Sequence, residues 1–329
     1  MTPGSGISRQ GLAILALAPI VLTLRRLYLR SLTLRTLKVL ENEERVLVLG
    51  GSSGIGESIA KQYAERGARV CVVGRRTDKI AVVVEECRAV SSIKSPTRVL
   101  GVVADFAKVE DMVKLRETLQ KEWQGVDTLI VAAGVSALQP LMAIAGIEAD
   151  PSGTSFTPSQ ASIDGIKRAA EISVAATRGN YTGPLIAAVT FIPLLISSSS
   201  SPSILLISSL AAVIPPPTRT LYASTKAASL VLYQALSIEH PSIAFTCVLP
   251  STVEGDFRAS AVDTGPVRET DPNKHGLKRV DVAKRCIEAV DAGERTVFMP
   301  STMRAGHLLY WLWPAFVEWR ARVKYNFAV

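Results

Sequence analysis

Tyr222 and Lys226 stand one helical turn apart in Leu221-Tyr-Ala-Ser-Thr-Lys226, and Ser209 lies thirteen residues upstream, closing the apolar run Ile204-Leu-Leu-Ile-Ser-Ser209. Residues i and i+4 of a helix project from one face, so the phenol and the ammonium can share a pocket. An adjacent cation favours tyrosinate and brings proton exchange by the phenol toward neutral pH. Ser209, carried in on a strand end, can donate a hydrogen bond to a substrate oxygen on which charge develops. Taken alone, a Tyr–Lys pair at this spacing is more often a solvated helix face with a packed aromatic stem.

A second motif changes that balance. The apolar run Arg45-Val-Leu-Val-Leu-Gly50 leads into Gly51-Ser52-Ser53-Gly54-Ile55-Gly56 and then Glu57–Arg66, which reads as strand, glycine turn and helix, with Gly67 as C-cap. Gly50, Gly54 and Gly56 permit a tight turn and close approach of backbone to a ligand, while free amides at the helix start offer an anion site suited to a pyrophosphate. By itself the motif equally describes a glycine-rich turn that binds nothing.

Together, over roughly Arg45 to Pro300, these residues resemble the short-chain dehydrogenase/reductase family. The family's Gly-x-x-x-Gly-x-Gly falls on Gly50, Gly54 and Gly56, and its Ser, Tyr and Lys fall on Ser209, Tyr222 and Lys226. The resemblance implies an α/β fold, a doubly wound, mostly parallel Rossmann-like sheet forming a single catalytic domain, with Tyr222 as general acid or base, Lys226 tuning it and holding the nicotinamide ribose, and Ser209 polarising the substrate oxygen. It places a fourth catalytic residue at Asn180 of Asn180-Tyr-Thr-Gly183, kinking a helix and holding a water in the proton relay; an ordinary cap or turn residue is the alternative there. It also assigns Ser52, Ser53, Ile55, Arg75, Arg76, Asp105, Phe106, Ala133, Gly134, Pro250 and Val253 to cofactor contact, with Asp105 at the adenine or, alternatively, capping a strand end. Gly74 stands where members preferring NAD carry an acid, and Arg75 follows it, so NADP(H) is the expected cofactor, with NAD(H) second. A guanidinium can pair with a 2′-phosphate that a carboxylate would repel. The chain departs from the family at Leu49, Ala132 and Gly255, where hydroxyl or amide side chains are usual; none of these touches the four catalytic positions.

The elements that must position these groups are legible as well. Apolar runs at Val46–Leu49, Val70–Val73, Val99–Val103, Thr128–Val131, Ile204–Ile207, Ile243–Val248 and Thr296–Met299 alternate with helical stretches, as in a parallel sheet with crossover helices. Met142–Thr177 reads as an inserted surface loop, Ser197–Ser203 as a polar loop, and Asp256–Gly276, where the family has a substrate lid, as a segment whose composition suits a mobile lid and equally any loop. Four scattered cysteines, two of them inside predicted strands, read as reduced thiols, and three distant histidines give no metal-ligand spacing.

The 329 residues are 48% hydrophobic, with a net charge of +8. No basic face with interleaved aromatics points to nucleic acid; the charge lies toward the ends. Residues 1–40 carry no acid, and the uncharged run Gly11–Leu24 is followed by Arg25, Arg26, Arg30 and Arg35. That run is short for a hydrocarbon core of about 30 Å, so an interfacial or re-entrant anchor is expected rather than a simple span. The C-terminal stretch from His307 to Phe327 holds three of the four tryptophans and a basic cluster, a composition suited to a membrane interface, with a packed C-terminal helix as the alternative. The expected division is an apolar and basic anchor at 1–44, a catalytic domain at 45–300 and an aromatic, basic tail at 301–329. The expected activity is hydride transfer between NADP(H) and a lipophilic carbonyl or alcohol such as a ketosteroid, retinoid or ketoacyl lipid. The expected location is a membrane or lipid-droplet surface of the endoplasmic reticulum with the catalytic domain cytosolic, mitochondria being the second choice; a homo-oligomer is compatible with this reading. The rival reading is a nucleotide-binding scaffold without catalysis.

Overall fold

The structure, a computed structural model, describes residues 35–147, 160–264 and 272–327. Seven strands, β1 (Arg45–Leu49), β2 (Arg69–Gly74), β3 (Val99–Val103), β4 (Thr128–Val131), β5 (Ser203–Ile207), β6 (Ala244–Pro250) and β7 (Thr296–Met299), form one sheet in the order β3-β2-β1-β4-β5-β6-β7. Every pairing is parallel. The central strands β1, β4 and β5 are apolar along almost their whole length because helices cover both faces, and a strand buried on both sides cannot alternate. All seven strands expected from the apolar runs are present.

On one face pack α3 (Val109–Trp123), α5 (Gly183–Ser198) and α6 (Thr220–Glu239); on the other, α1 (Gly54–Glu65), α2 (Thr77–Val90) and α7 (Arg279–Asp291). Within β1 the pleat sends Leu47 and Leu49 into the first core and Val46 and Val48 into the second. Strand order turns back between β1 and β4, so their carboxyl ends open a crevice at the switch point, the general binding position in open α/β sheets.

The inserted surface loop expected over Met142–Thr177 is a loop only in part. Leu141–Ile144 makes a single turn, and Ile163–Thr177 is helix α4, which runs through a π turn at Arg178–Thr182 into α5. Ser162 caps α4 by accepting from the Gly165 amide at 3.0 Å, and the alanine-rich sequence behind it favours helix over turn. The turn-forming residues that prompted the loop reading cluster at 150–159, and 148–159 lie outside the described residues. The helix Ile163–Ser198 is long and apolar enough to cross a membrane by length and composition, yet half of its apolar window is buried inside the protein.

The four cysteines are free and buried, Cys71 in β2, Cys87 in α2, Cys247 in β6 and Cys286 in α7, and burial pushes each thiol up to about 12. At the amino-terminal end of the sheet, buried Arg35 pairs with buried Glu44 and donates to Thr128 Oγ1 at 2.6 Å, while Arg66 reaches both Glu44 and Asp291. Residues 35–44 are therefore tied to the sheet; the apolar run Gly11–Leu24 lies outside the described residues. At the opposite end, β7 leads into α8 (Met303–Leu312) and α9 (Pro314–Lys324), neither of which buries a residue.

Candidate active site

The β1–α1 turn can be made only with glycine at two positions. A Cβ on Gly50, whose φ is 85°, would stand 2.5 Å from the Ala133 nitrogen, and one on Gly56 would collide with the Gly50 carbonyl oxygen. The turn therefore folds directly against the chain leaving β4. Gly54, with φ of 63°, faces open space at the start of α1, which leaves an accessible backbone surface beside the helix's unbonded amides. Ser52 is buried, Ser53 is exposed and precedes the helix in extended conformation, and Ile55 packs against the second core. Arg75 and Arg76 follow β2 on the surface, and Arg76 donates to Ser53 Oγ at 3.0 Å. Neither guanidinium is paired with a carboxylate among the described residues. A Cβ on Gly74 would come within 2.8 Å of Ser52 Oγ, so the strand end is crowded against the glycine turn.

Across the crevice, Tyr222 (8% exposed) and Lys226 (4% exposed) lie on α6. Lys226 Nζ donates to the Ile207 carbonyl at 2.9 Å, and burial lowers its pKa to about 8. Ser209, two residues beyond Ile207, caps a 3-10 turn at Leu210–Ala212 and accepts from the Ala211 amide at 3.2 Å. Asn180 is fully buried in the π turn. Its Oδ1 accepts from the Val135 amide at 2.9 Å, and its Nδ2 donates to the Val135 carbonyl at 3.0 Å and to Thr225 Oγ1 at 3.1 Å. The side chain thereby links the chain leaving β4 to α6. Gly134 sits at the centre: a Cβ there would stand 2.9 Å from Asn180 Oδ1 and 3.2 Å from Lys226 Nζ.

Asp105 follows β3 and is occupied locally, accepting from the Ala107 amide at 3.0 Å and pairing with Arg178 at 3.0 Å. Phe106 packs its ring against Gly183, where a Cβ would clash with it. Pro250 ends β6, and Val253 bridges to Leu277 just beyond. The segment expected over Asp256–Gly276 is anchored in its first part. Phe257 stands edge-on to the Tyr222 ring at 6.0 Å, Ala261 bridges to Ser136, and buried Asp263 accepts from the amides of Leu138 and Gln139 at 2.8–2.9 Å. The charges that suggested mobility include the carboxylate that fastens the segment; residues 265–271 lie outside the described residues.

Residues 44–265 match the family model described as short chain dehydrogenase. The chain belongs to that family. This short-chain dehydrogenase is 27% identical over 277 residues to the 11-beta-hydroxysteroid dehydrogenase-like 4A of Arabidopsis thaliana, covering 82% of this chain and 80% of the relative. It is 27% identical over 289 residues to the 11-beta-hydroxysteroid dehydrogenase A of Sesamum indicum, covering 85% and 75%. Among solved structures it is similar in fold to a short-chain dehydrogenase/reductase from Burkholderia phymatum in complex with NAD, with a TM-score of 0.67 and 17% identity over 83% of this chain and 94% of that one. It is also similar to an alcohol dehydrogenase from Thermococcus sibiricus complexed with 5-hydroxy-NADP, with a TM-score of 0.60 and 20% identity over 78% and 94%. The protein is thus an oxidoreductase of a fold that binds NAD(P), and these two structural neighbours carry one cofactor type each.

The structure adds residues that the motifs did not single out. Thr218 and Arg219 precede α6, Thr225 ties Asn180 to it, and Phe257 and Asp263 bring the segment after β6 onto the site. Only Thr225 stood inside a motif; the others occupy stretches whose composition fits any surface loop.

Proposed function

We propose that this short-chain dehydrogenase transfers a hydride between NADP(H) and the carbonyl or alcohol of a lipophilic substrate, with Tyr222 as general acid or base. The observation that carries the reading is the meeting of Lys226 and Asn180 at Gly134 on the chain leaving β4, with Tyr222 one turn before Lys226 on the same helix α6. The nicotinamide cofactor, when bound, supplies or accepts the hydride. Gly50, Ser52, Ser53, Gly54, Ile55 and Gly56 are assigned to its pyrophosphate, and Ala133, Gly134, Asp105, Phe106, Pro250 and Val253 to the rest of the cofactor. Lys226, a cation below about pH 8, favours tyrosinate and holds the ribose. Tyr222 then takes the alcohol proton or returns it to the carbonyl oxygen, while Ser209 orients that oxygen. Asn180, committed to Val135 and Thr225, holds the π turn in place beside them. Arg75 and Arg76, exposed and without acidic partners among the described residues, support preference for a 2′-phosphate.

The lipophilic assignment rests on α8 and α9 together with the hydroxysteroid dehydrogenase-like names of the relatives. Trp311 is 75% exposed and Trp313 59%, with Leu308, Leu312 and Trp319 also exposed, and Arg304, Arg320, Arg322 and Lys324 face a single acid, Glu318. Aromatic side chains interleaved with cations favour the lipid–water interface. Gly306 of α8 approaches Ile214, in the connection between Ser209 and Tyr222, so this surface adjoins the catalytic end of the sheet. The proposed setting is the cytosolic face of the endoplasmic reticulum or a lipid droplet, with residues 1–34 as a second anchor.

The test is to incubate the full chain, purified in detergent, with NADPH or NADH and a panel of ketosteroids, retinal, ketoacyl lipids and quinones. Oxidation of NADPH with at least one member is expected. A nucleotide-dependent rise in melting temperature without turnover on any member favours the scaffold reading instead. For the setting, removing the last 24 residues and residues 1–34 together is expected to release the protein from membranes, and persistent pelleting of that variant contradicts the two-anchor arrangement.

A further inference from the structure

Arg219 is a buried cation at the start of a helix. It is the residue before α6, where the unbonded amides of the first turn carry partial positive charge, so a cation there is repelled by the helix end. It is also buried, at 8% exposure, and it follows Thr218, a buried β-branched residue held at φ of 64° in the left-handed region. Strained backbone of this kind persists where the surrounding structure enforces it, and such positions cluster at functional sites. The guanidinium donates through Nη1 to Ser136 Oγ at 3.1 Å, and its central carbon lies 5.5 Å from the centre of the Tyr222 ring.

We propose that Arg219 is a positioning residue that holds a permanent positive charge against the Tyr222 ring and stabilises its deprotonated form. The proposal rests on Tyr222 being the general acid or base. It assigns Arg219 a task that Lys226 performs only in part, because the ammonium loses its charge as pH passes about 8, whereas a guanidinium stays protonated throughout the working range. Ser136, Ala261 and Asp263 fasten the segment after β6 to the chain leaving β4, and Arg219 is bonded into that same junction.

Other charged groups among the described residues come from the elements around Tyr222. Lys226 lies on its own helix. The segment after β6 brings Glu254, paired with Lys278, then Asp256 and Arg258 on either side of Phe257, and Asp263 on the amides of Leu138 and Gln139; α4 brings Arg168, bonded to Thr264; and the π turn brings Arg178, paired with Asp105. Residues 132–139, 209–217 and β6 carry no charge, and α8 contributes Arg304 and His307, the latter stacked on Phe298. Among these described groups, Arg219 is the cation that lies against the ring itself.

The experiment is the pH dependence of kcat for alcohol oxidation in wild type, Arg219→Gln, Arg219→Met and Arg219→Lys. Methionine keeps an apolar stem against the ring, so loss of folding in the glutamine variant leaves the charge-free case measurable. Removing the charge makes tyrosinate harder to form, so the ascending limb of the profile is expected to move up by about one pH unit in both neutral variants, a tenfold change in the apparent constant, and to return toward wild type in Arg219→Lys. An unmoved limb in the neutral variants, or an equal displacement in Arg219→Lys, overturns the proposal. Tyr222→Phe is assayed beside them: near-normal turnover there removes the general acid–base reading itself, whereas an inactive Tyr222→Phe with an unmoved Arg219 profile removes only the role of Arg219.

Discussion

Lys226 Nζ donates to the Ile207 carbonyl at 2.9 Å, so the ammonium that sits one turn from Tyr222 is fixed to the end of the strand that also delivers Ser209. One hydrogen bond thus sets the spacing between α6 and the tip of β5. It also buries a charge, and that cost has a readable pH signature.

Burial lowers the Lys226 pKa to about 8, against about 10.4 in an unfolded chain. Below pH 8 both states hold the proton and the folded state bears the full cost of burying it. Between pH 8 and 10 the folded protein has released the proton that the unfolded chain still keeps, so folding gains with rising pH. In chemical denaturation without nucleotide, wild type is therefore expected to gain up to about 3 kcal/mol relative to Lys226→Met over that window. A pH-independent difference between the two proteins contradicts the buried-ammonium description.

Gly134→Ala is expected to disable the site while leaving the fold intact. The added methyl would press on Asn180 Oδ1 and Lys226 Nζ at 2.9 and 3.2 Å, displacing two groups of the proposed site at once. A fall in kcat of at least about tenfold with a melting temperature within a few degrees of wild type is the expected result. Unchanged kinetics contradict the crowding.

Asn180→Ala removes the acceptor of the Val135 amide and the donor to the Val135 carbonyl and to Thr225. The partly buried Val135 groups left unpaired are expected to cost about 1–3 kcal/mol in urea unfolding, beyond an ordinary surface substitution. A change below about 0.5 kcal/mol contradicts the structural part of its role.

The sheet was readable because its strands are uninterrupted apolar runs, and a parallel sheet covered on both faces has no other pattern to show. Gly50 and Gly56 were readable because their backbone geometry excludes any side chain. Helix α4 was missed because the turn-forming residues at 150–159 stand just ahead of Ser162, and a cap is not distinguishable by composition from one more turn residue. Asp263 and Arg219 were missed for a different reason. Each acts on partners more than 80 residues away, Leu138 and Ser136, and no local spacing encodes a contact of that range.

Cofactor choice is tested at the end of β2. Arg75→Ala is expected to weaken NADPH binding at least about tenfold while leaving NADH nearly unaffected, since only the former carries the 2′-phosphate that a guanidinium can pair. Titration of both cofactors against both proteins measures it. Equal wild-type affinities for the two contradict the assignment.

The central claim is that the Tyr222 hydroxyl exchanges the proton. The direct measurement is kcat of Tyr222→Phe on a substrate that wild type turns over, alongside its nucleotide affinity, since the change deletes one oxygen and keeps the ring against Phe257. The account predicts a loss of about 10²–10⁴-fold in kcat, with cofactor affinity within about threefold of wild type. Turnover near the wild-type rate contradicts it.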